Sequence, residues 1–265
     1  MPTPLYAFWS DNLLPGASTL EVQTFSLLTG FWIDALRDGD PSNGIRCNQP
    51  NGRLVYGGSS VVPKIVALFH HNCGSSKVIS LKGHSANSSW GAPDVSGETF
   101  TIGATEADGY QPDLYLDRRS KMTAKAYWAV EFDSSGSALA LGEWFMSATA
   151  REFVRGFRIG DEIGAGVKTI VHETYADVEL ATKKGFRRDV RSGQFIGTYA
   201  DAVAFYNLLL AVSGRAEPLV LVPNPAKPYV MLCRLQQDDI RLRSIDGDVF
   251  TVDATFRQLS RGLTW

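Results

Sequence analysis

The segment R151-EFVRGFRIGDEIGAGVKTIVHETYADVELATKKGFRRDVR-S192 decides how this chain is read. It starts with Phe153, Arg155, Phe157 and Ile159 alternating against Val154, Gly156 and Arg158. A break rich in Gly, Asp and Glu follows. Alternation resumes from Val167 to Glu173 and again from Ala176 to Leu180. A period of two, punctuated by Gly and Asp, predicts antiparallel strands and turns. A basic stretch from Lys183 to Arg191 closes the segment and reads as a loop at a hairpin tip. No catalytic motif falls inside it, so the segment reads as the opening of a second domain.

Upstream, Val61–Asn72 (VVPKIVALFHHN) is apolar without polar alternation, as expected of a strand buried on both faces. Lys77–Gly83 alternates. Ser85–Gly97 reads as a polar loop around Trp90, and residues 98–102 as a further strand. Ala124–Phe132 puts Ala126, Trp128, Val130 and Phe132 on one face. The DSSGS turn (133–137) then predicts a hairpin, with Ala138–Ser147 as the partner strand. Residues 1–45 look irregular. Downstream, Asp201–Ser213 is the one convincing helix. Val203, Tyr206, Leu209 and Leu210 form its apolar positions, Thr198 or Asp201 its cap and Gly214 its end. Strands follow at Glu217–Val222, Pro228–Leu235, Asp239–Ile245 and Asp248–Gln258, the last two joined by the IDGD turn. The expected fold is mainly β: an N-terminal jelly-roll or β-sandwich domain (1–150), then a C-terminal β-sandwich domain (151–265) with one flanking helix at 201–213.

The 265 residues suffice for two cores, and 44% hydrophobic residues mark a globular chain. The net charge of -2 argues against nucleic-acid binding as the main task. Residues 1–150 carry 10 Lys/Arg and 14 Asp/Glu; residues 151–265 carry 16 and 14. Cys47, Cys73 and Cys233 stand far apart with no CxxC, which suits reduced thiols and folding in a cytoplasm. The N-terminus lacks the pattern of a secretory signal, and no run approaches the roughly 20 apolar residues of a membrane span.

Candidate chemistry is sparse. His70 and His71 adjoin, so on a strand they face opposite sides and cannot readily share a metal; one buried and one exposed histidine is expected. His84 and His172 have no carboxylate cluster around them. There is no HExxH, no GxSxG and no phosphate-binding loop. No catalytic residue, metal ligand or cofactor is assigned. Two clusters remain. Lys183, Lys184, Arg187, Arg188 and Arg191 form a basic run that suits an acidic partner or a neighbouring subunit, or a solvated tip. His84, Asn87, Trp90 and Asp94 share one loop, where an aromatic ring beside amide and carboxylate groups is what glycan recognition uses. A loop that anchors a tryptophan in the core carries the same letters.

Several pieces together resemble a known family. In the first half these are the DNLLPGAS opening (11–18), VVPKIVALFHHN (61–72), a long loop and the closing strands, which look like galactose-binding-like jelly rolls of phage tail proteins. In the second they are FVRGFRIGDEI (153–163), DAVAFYNLLLAV (201–212), EPLVLVPNP (217–225) and the last hairpin. This order resembles the distal-tail and tail-tip proteins of siphophages. The resemblance implies a structural, non-enzymatic virion protein whose copies form a homo-oligomeric ring. Tail tube and baseplate hub would be its neighbours, and assembly would take place in the host cytoplasm. A carbohydrate-binding module for host glycans, or a glycan-cleaving enzyme, are the readings from other classes.

Overall fold

The computed structural model describes residues 5–8, 12–74, 77–105, 111–133, 136–149, 151–153, 162–173, 179–212, 217–223, 229–236 and 240–259, the first of these and those from 151 to 191 as backbone only. The first strands are β1 (Leu5–Phe8), β2 (Thr19–Gln23), β3 (Ile45–Arg46), β4 (Gly52–Val61), β5 (Ile65–His71) and β6 (Val78–His84). They are followed by β7 (Val95–Thr99), β8 (Leu114–Asp117), β9 (Lys125–Asp133), β10 (Ala140–Ser147) and β11 (Arg151–Phe153). Next come β12 (Glu162–Glu173), β13 (Glu179–Thr198) and helix α1 (Tyr199–Ala211). The last strands are β14 (Leu219–Val222), β15 (Met231–Leu235), β16 (Leu242–Asp246) and β17 (Val249–Gln258). All pairings are antiparallel.

The mainly β class with a sandwich and one flanking helix is what the chain adopts. A five-stranded sheet, β2-β4-β9-β6-β7, faces a four-stranded sheet, β3-β10-β5-β8. From β2 to β10 successive strands alternate between these sheets, except at β6–β7. Their common core holds Leu54, Trp128, Val130 and Phe132 from one sheet and Val66, Leu68, Trp144 and Met146 from the other. An eight-stranded sheet, β11-β1-β14-β15-β17-β13-β12 with β16 also on β17, stacks on the outer face of the four-stranded one. There Ile65, Ala67, Phe69 and Phe145 meet Val220, Val222, Val230 and Leu232. The eight-stranded sheet's other face packs on α1 through Phe195, Leu219, Met231, Val252 and Phe256. The layers therefore run sheet, sheet, sheet, helix.

This stacking accounts for the unbroken apolar run at 61–72. β5 and β10 are buried along their whole length because a core lies on each side of them. It also corrects the expected hairpin at 133–137. β10 pairs with β5 and β3, while β9 pairs with β4 and β6 in the other sheet. A strand buried on both faces belongs in the middle layer, so the connection crosses the sandwich instead of reversing within one sheet.

His70 and His71 are both buried, against the expectation of one exposed ring. The backbone turns at His70, where φ is +55°, so strict alternation ends there. Residues 1–45 are not wholly irregular either. β1 pairs with β11 and β14 inside the eight-stranded sheet, so strands on both sides of residue 150 share that sheet. A second link is Asp113. It accepts from the His70 N–H at 2.8 Å and from Gln258 Nε2 at 3.2 Å, tying the middle sheet to the end of β17.

Helix α1 begins two residues before its expected start. The Thr198 side chain accepts from the Asp201 N–H, satisfying one of the first-turn donors. Its buried face is Ala202, Phe205, Leu208 and Leu209, whereas Leu210 is 50% exposed. The expected stop at Gly214 lies outside the described residues, as do most of the 153–159 run, the start of the 176–180 run and the RIGD segment (158–161).

Two predictions follow from this packing. Leu209→Ala should cost about 2–5 kcal/mol, while Leu210→Ala should leave the urea midpoint within error; equal losses would misplace the helix face. A fragment of residues 151–265 lacks β1 and bares Val220, Val222 and Leu232. It should bind a hydrophobic dye and give poorly dispersed amide spectra unless residues 1–150 are supplied.

Candidate functional site

Three places carry polar groups in unusual settings. The first is the Trp90 loop on the outer face of the five-stranded sheet. The fold brings His84, Asn87, Trp90 and Asp94 together, as the spacing suggests, but buries the Trp90 ring; Asp94 stays exposed and His84 and Asn87 are half-buried. Trp90 is only 4% exposed and packs on Val55 and Ala129. The Arg53 guanidinium lies 5.5 Å from its ring centroid, and the His84 ring meets it edge-on at 5.8 Å. Its indole N–H donates to Asn87 Oδ1 at 3.3 Å. The same oxygen accepts from Gln23 Nε2 at 3.0 Å, and Asn87 Nδ2 donates to Glu21 at 2.8 Å. Asp94 accepts from Lys125 Nζ at 2.6 Å and from the Ser85 N–H at 2.9 Å. The Lys125 and Ser85 hydrogen bonds hold its carboxyl well below the usual carboxylate range. The buried Trp90 ring is not open for stacking on a sugar. The cluster pins the loop to the sheet.

The second place is the basic run. Lys183, Lys184, Arg187, Arg188 and Arg191 lie on β13, a 20-residue strand, not in a loop. β17 pairs with β13 only from Val190 to Thr198. From Glu179 to Asp189, β13 pairs among the described residues with β12 alone, through one register shift near Gly166. The basic residues up to Arg188 therefore stand on a two-stranded arm that extends past the sheet. Within it Lys168 stands opposite Lys184, a like-charge register that disfavours the pair in isolation. The strand is hidden in the sequence because charges occupy neighbouring positions and mask the period of two.

The third place, which the sequence reading did not single out, is the middle of β10. Glu143 is buried at the wall of a cleft of about 280 Å3, lined also by Asp38, Gly39, Glu217, Pro218 and Leu232. The cleft thus lies between parts of the chain on either side of residue 150. Glu143 accepts from the Gly39 N–H at 3.2 Å. Burial, and then the charges of Asp38 and Asp40, push its carboxyl well above the ordinary value. On the neighbouring strand, burial pulls His71 down to about 4. The Cys73 N–H donates to His71 Nδ1 at 3.1 Å, so the proton sits on Nε2, which donates to the Pro112 carbonyl at 2.9 Å. Conversely, His70 must donate from Nδ1 to the Pro41 carbonyl at 2.7 Å. These rings are tied to backbone, which suits structure more than proton transfer to a substrate.

Among the described residues no group of three or more His, Cys, Asp or Glu could hold a metal ion. The three cysteines are buried and free, and burial pushes Cys47 and Cys73 up to about 12. No helix among them is long and apolar enough to cross a membrane. In comparison with known proteins, no family model and no curated sequence matches the chain.

Glu143 and His71 have opposite effects on stability as pH changes. The Glu143 carboxyl is raised above 4.5, so above that value the native state keeps a proton that the unfolded chain has lost. Stability then falls by about 1.4 kcal/mol per pH unit. His71 stays neutral in the fold between about 4 and 6.5 while the unfolded chain protonates, so stability rises with pH there by a similar slope. From pH 4.5 to 6.5 the two contributions oppose each other as long as Glu143 keeps its proton in the fold. Glu143→Gln removes one of them, so the variant's urea midpoint should climb with pH relative to the parent across that window. Parallel curves would mean that Glu143 is ionised in the fold.

Proposed function

We propose that this chain is a structural subunit of a long-tailed phage tail tip or baseplate. It is a distal-tail-like protein whose copies close into a ring between the tail tube and the hub. Assembly takes place in the host cytoplasm and the protein resides in the virion tail. The observation that carries this reading is the β12–β13 arm. β12 has 12 residues and ends the eight-stranded sheet, so its outer edge pairs with no strand among the described residues. A long edge of free N–H and C=O groups is a template for another chain, and proteins that stay monomeric normally blunt or cover such edges. Pairing across a subunit boundary satisfies it, with main-chain hydrogen bonds supplying affinity.

Charge points the same way. Five Lys and Arg residues on β13, with only Asp189 among them, repel one another in a lone subunit. Acidic groups of a neighbour relieve that repulsion and set orientation more than affinity. Exposed Asp246 and Asp248, on the β16–β17 turn, are suitable partners. Closed cyclic symmetry uses two different surfaces of each copy, the arm being one and this turn the other.

The test is the solution mass of the purified chain, alone and with tail-tube protein, followed by negative-stain imaging. A closed ring is expected; a monomer under both conditions overturns the proposal. Replacing Arg187 and Arg188 by Glu should block ring formation at low salt, with partial recovery at high salt as repulsion is screened. Unchanged assembly at both salts would reduce the basic run to a solvated feature.

A further inference from the structure

We propose that a cleft beside Trp32 is a saccharide-binding site, separate from the assembly surface and independent of the tail reading. Trp32 is 71% exposed, the most exposed tryptophan among the described residues. It is not on a loose segment. Trp32 directly precedes a single 3-10 turn, Ile33–Leu36, in which Leu36 is fully buried and Ile33 packs against the sandwich core. That anchoring fixes the backbone at Trp32 while its indole points away from the core. A large flat apolar surface held rigidly in water is unfavourable for an isolated protein and useful for a ligand.

The cleft has a volume of about 550 Å3, within the range of small-ligand sites and sufficient for a mono- or disaccharide. Its opposite wall is the 38–44 loop, where polar groups are already braced. Asp38 accepts from the Asp40 N–H at 2.8 Å and from Asn43 Nδ2 at 2.9 Å. Asp40 accepts from the Ser42 N–H at 2.9 Å and the Ser42 hydroxyl at 2.6 Å. Asp38, Ser42 and Asn43 on this wall, and Asp34 on the Trp32 side, where it also pairs with Arg37 at 2.5 Å, line the cleft mainly with acceptor capacity. The complementary ligand has one apolar face for the indole and an edge of hydroxyl donors, the two surfaces of a pyranose ring.

A quaternary ammonium also likes aromatic rings and carboxylates, but it fits less well. Recognition of that kind uses several converging aromatic faces. Here the second ring, Phe31, already carries the Arg46 guanidinium 5.7 Å from its centroid, and this cation repels another.

The probes are glucose, galactose, N-acetylglucosamine, maltose and cellobiose, with choline chloride as the cationic control, read by saturation-transfer NMR on the full chain. At least one saccharide should receive saturation. Trp32→Ala should weaken that binding about tenfold or more, with an unchanged melting curve because Trp32 lies outside the buried core. Trp32→Phe should retain part of the binding and so separates a lost ring from a disturbed fold. No transfer to any of the five sugars, transfer surviving Trp32→Ala, or transfer to choline alone overturns the proposal. So does a change of oligomeric mass in Trp32→Ala without saccharide transfer, which would make the indole a subunit contact.

Discussion

The structure depends on one sheet being buried on both sides. β5 and β10 form the centre of the four-stranded sheet, registered from Leu141–His71 to Ser147–Ile65. One face carries Val66, Leu68, Trp144 and Met146 into the sandwich core; the other carries Ile65, Ala67, Phe69 and Phe145 against the eight-stranded sheet. A pair of strands in this position cannot solvate its polar groups. Its buried histidines and carboxyl are met by loops, which gives those loops fixed positions, although the Trp144 indole N–H finds no partner among the described residues. His70 is met by Pro41, His71 by Pro112 and Cys73, and Glu143 by Gly39. Gly142 shows how tight the fit is: a Cβ there would come within 2.3 Å of the Pro41 carbonyl and 2.9 Å of His70 Cβ.

The same burial explains the paired electrostatic strain. Glu143 and His71 are each shifted toward the neutral form, because burial inside this layer penalises the charge. A carboxyl and an imidazole displaced in opposite directions have stability slopes of opposite sign, which oppose each other where they overlap. Perturbed groups of this kind often mark catalytic sites. Here the imidazole hydrogen bonds run to main chain, and the carboxyl lies where parts of the chain from either side of residue 150 meet. The shifts are therefore better read as a consequence of layering than as preparation for chemistry.

Much of this was legible where burial leaves a periodic trace. The run at 61–72 signals two-face burial through its lack of alternation. Trp128, Val130 and Phe132 alternate into the core, and the IDGD turn reverses the chain at Gly247, where φ is +46°. Legibility ended where a partner or a direction had to be known. β4 contains Gly52, Gly57 and Gly58, weak strand formers that escape pattern reading, although β2 and β9 flank it. The helix was placed, but its face was not, because Leu208, Leu209 and Leu210 are consecutive and only packing shows which one points outward. The two tryptophans make the same point. Trp90 sits among polar letters and is buried; Trp32 sits among apolar letters and is exposed.

The long strand β13 joins the buried layers to the arm. Its last nine residues pair with β17 on the sheet that covers α1, and its earlier residues pair with β12 only, among the described residues. Thr198 ends the strand and caps the helix, so no flexible linker separates arm from core. Two strands alone are marginal in water. Adding a third strand along β12 would complete the ladder on that side and oppose fraying of the free end. Because β13 is continuous, order gained at the arm is conveyed directly into the register of β17 and the first turn of α1. Association at that edge would then be coupled to the stability of the layered core, while the Trp32 cleft, lined by residues between Gly30 and Gly44, shares no residue with the arm.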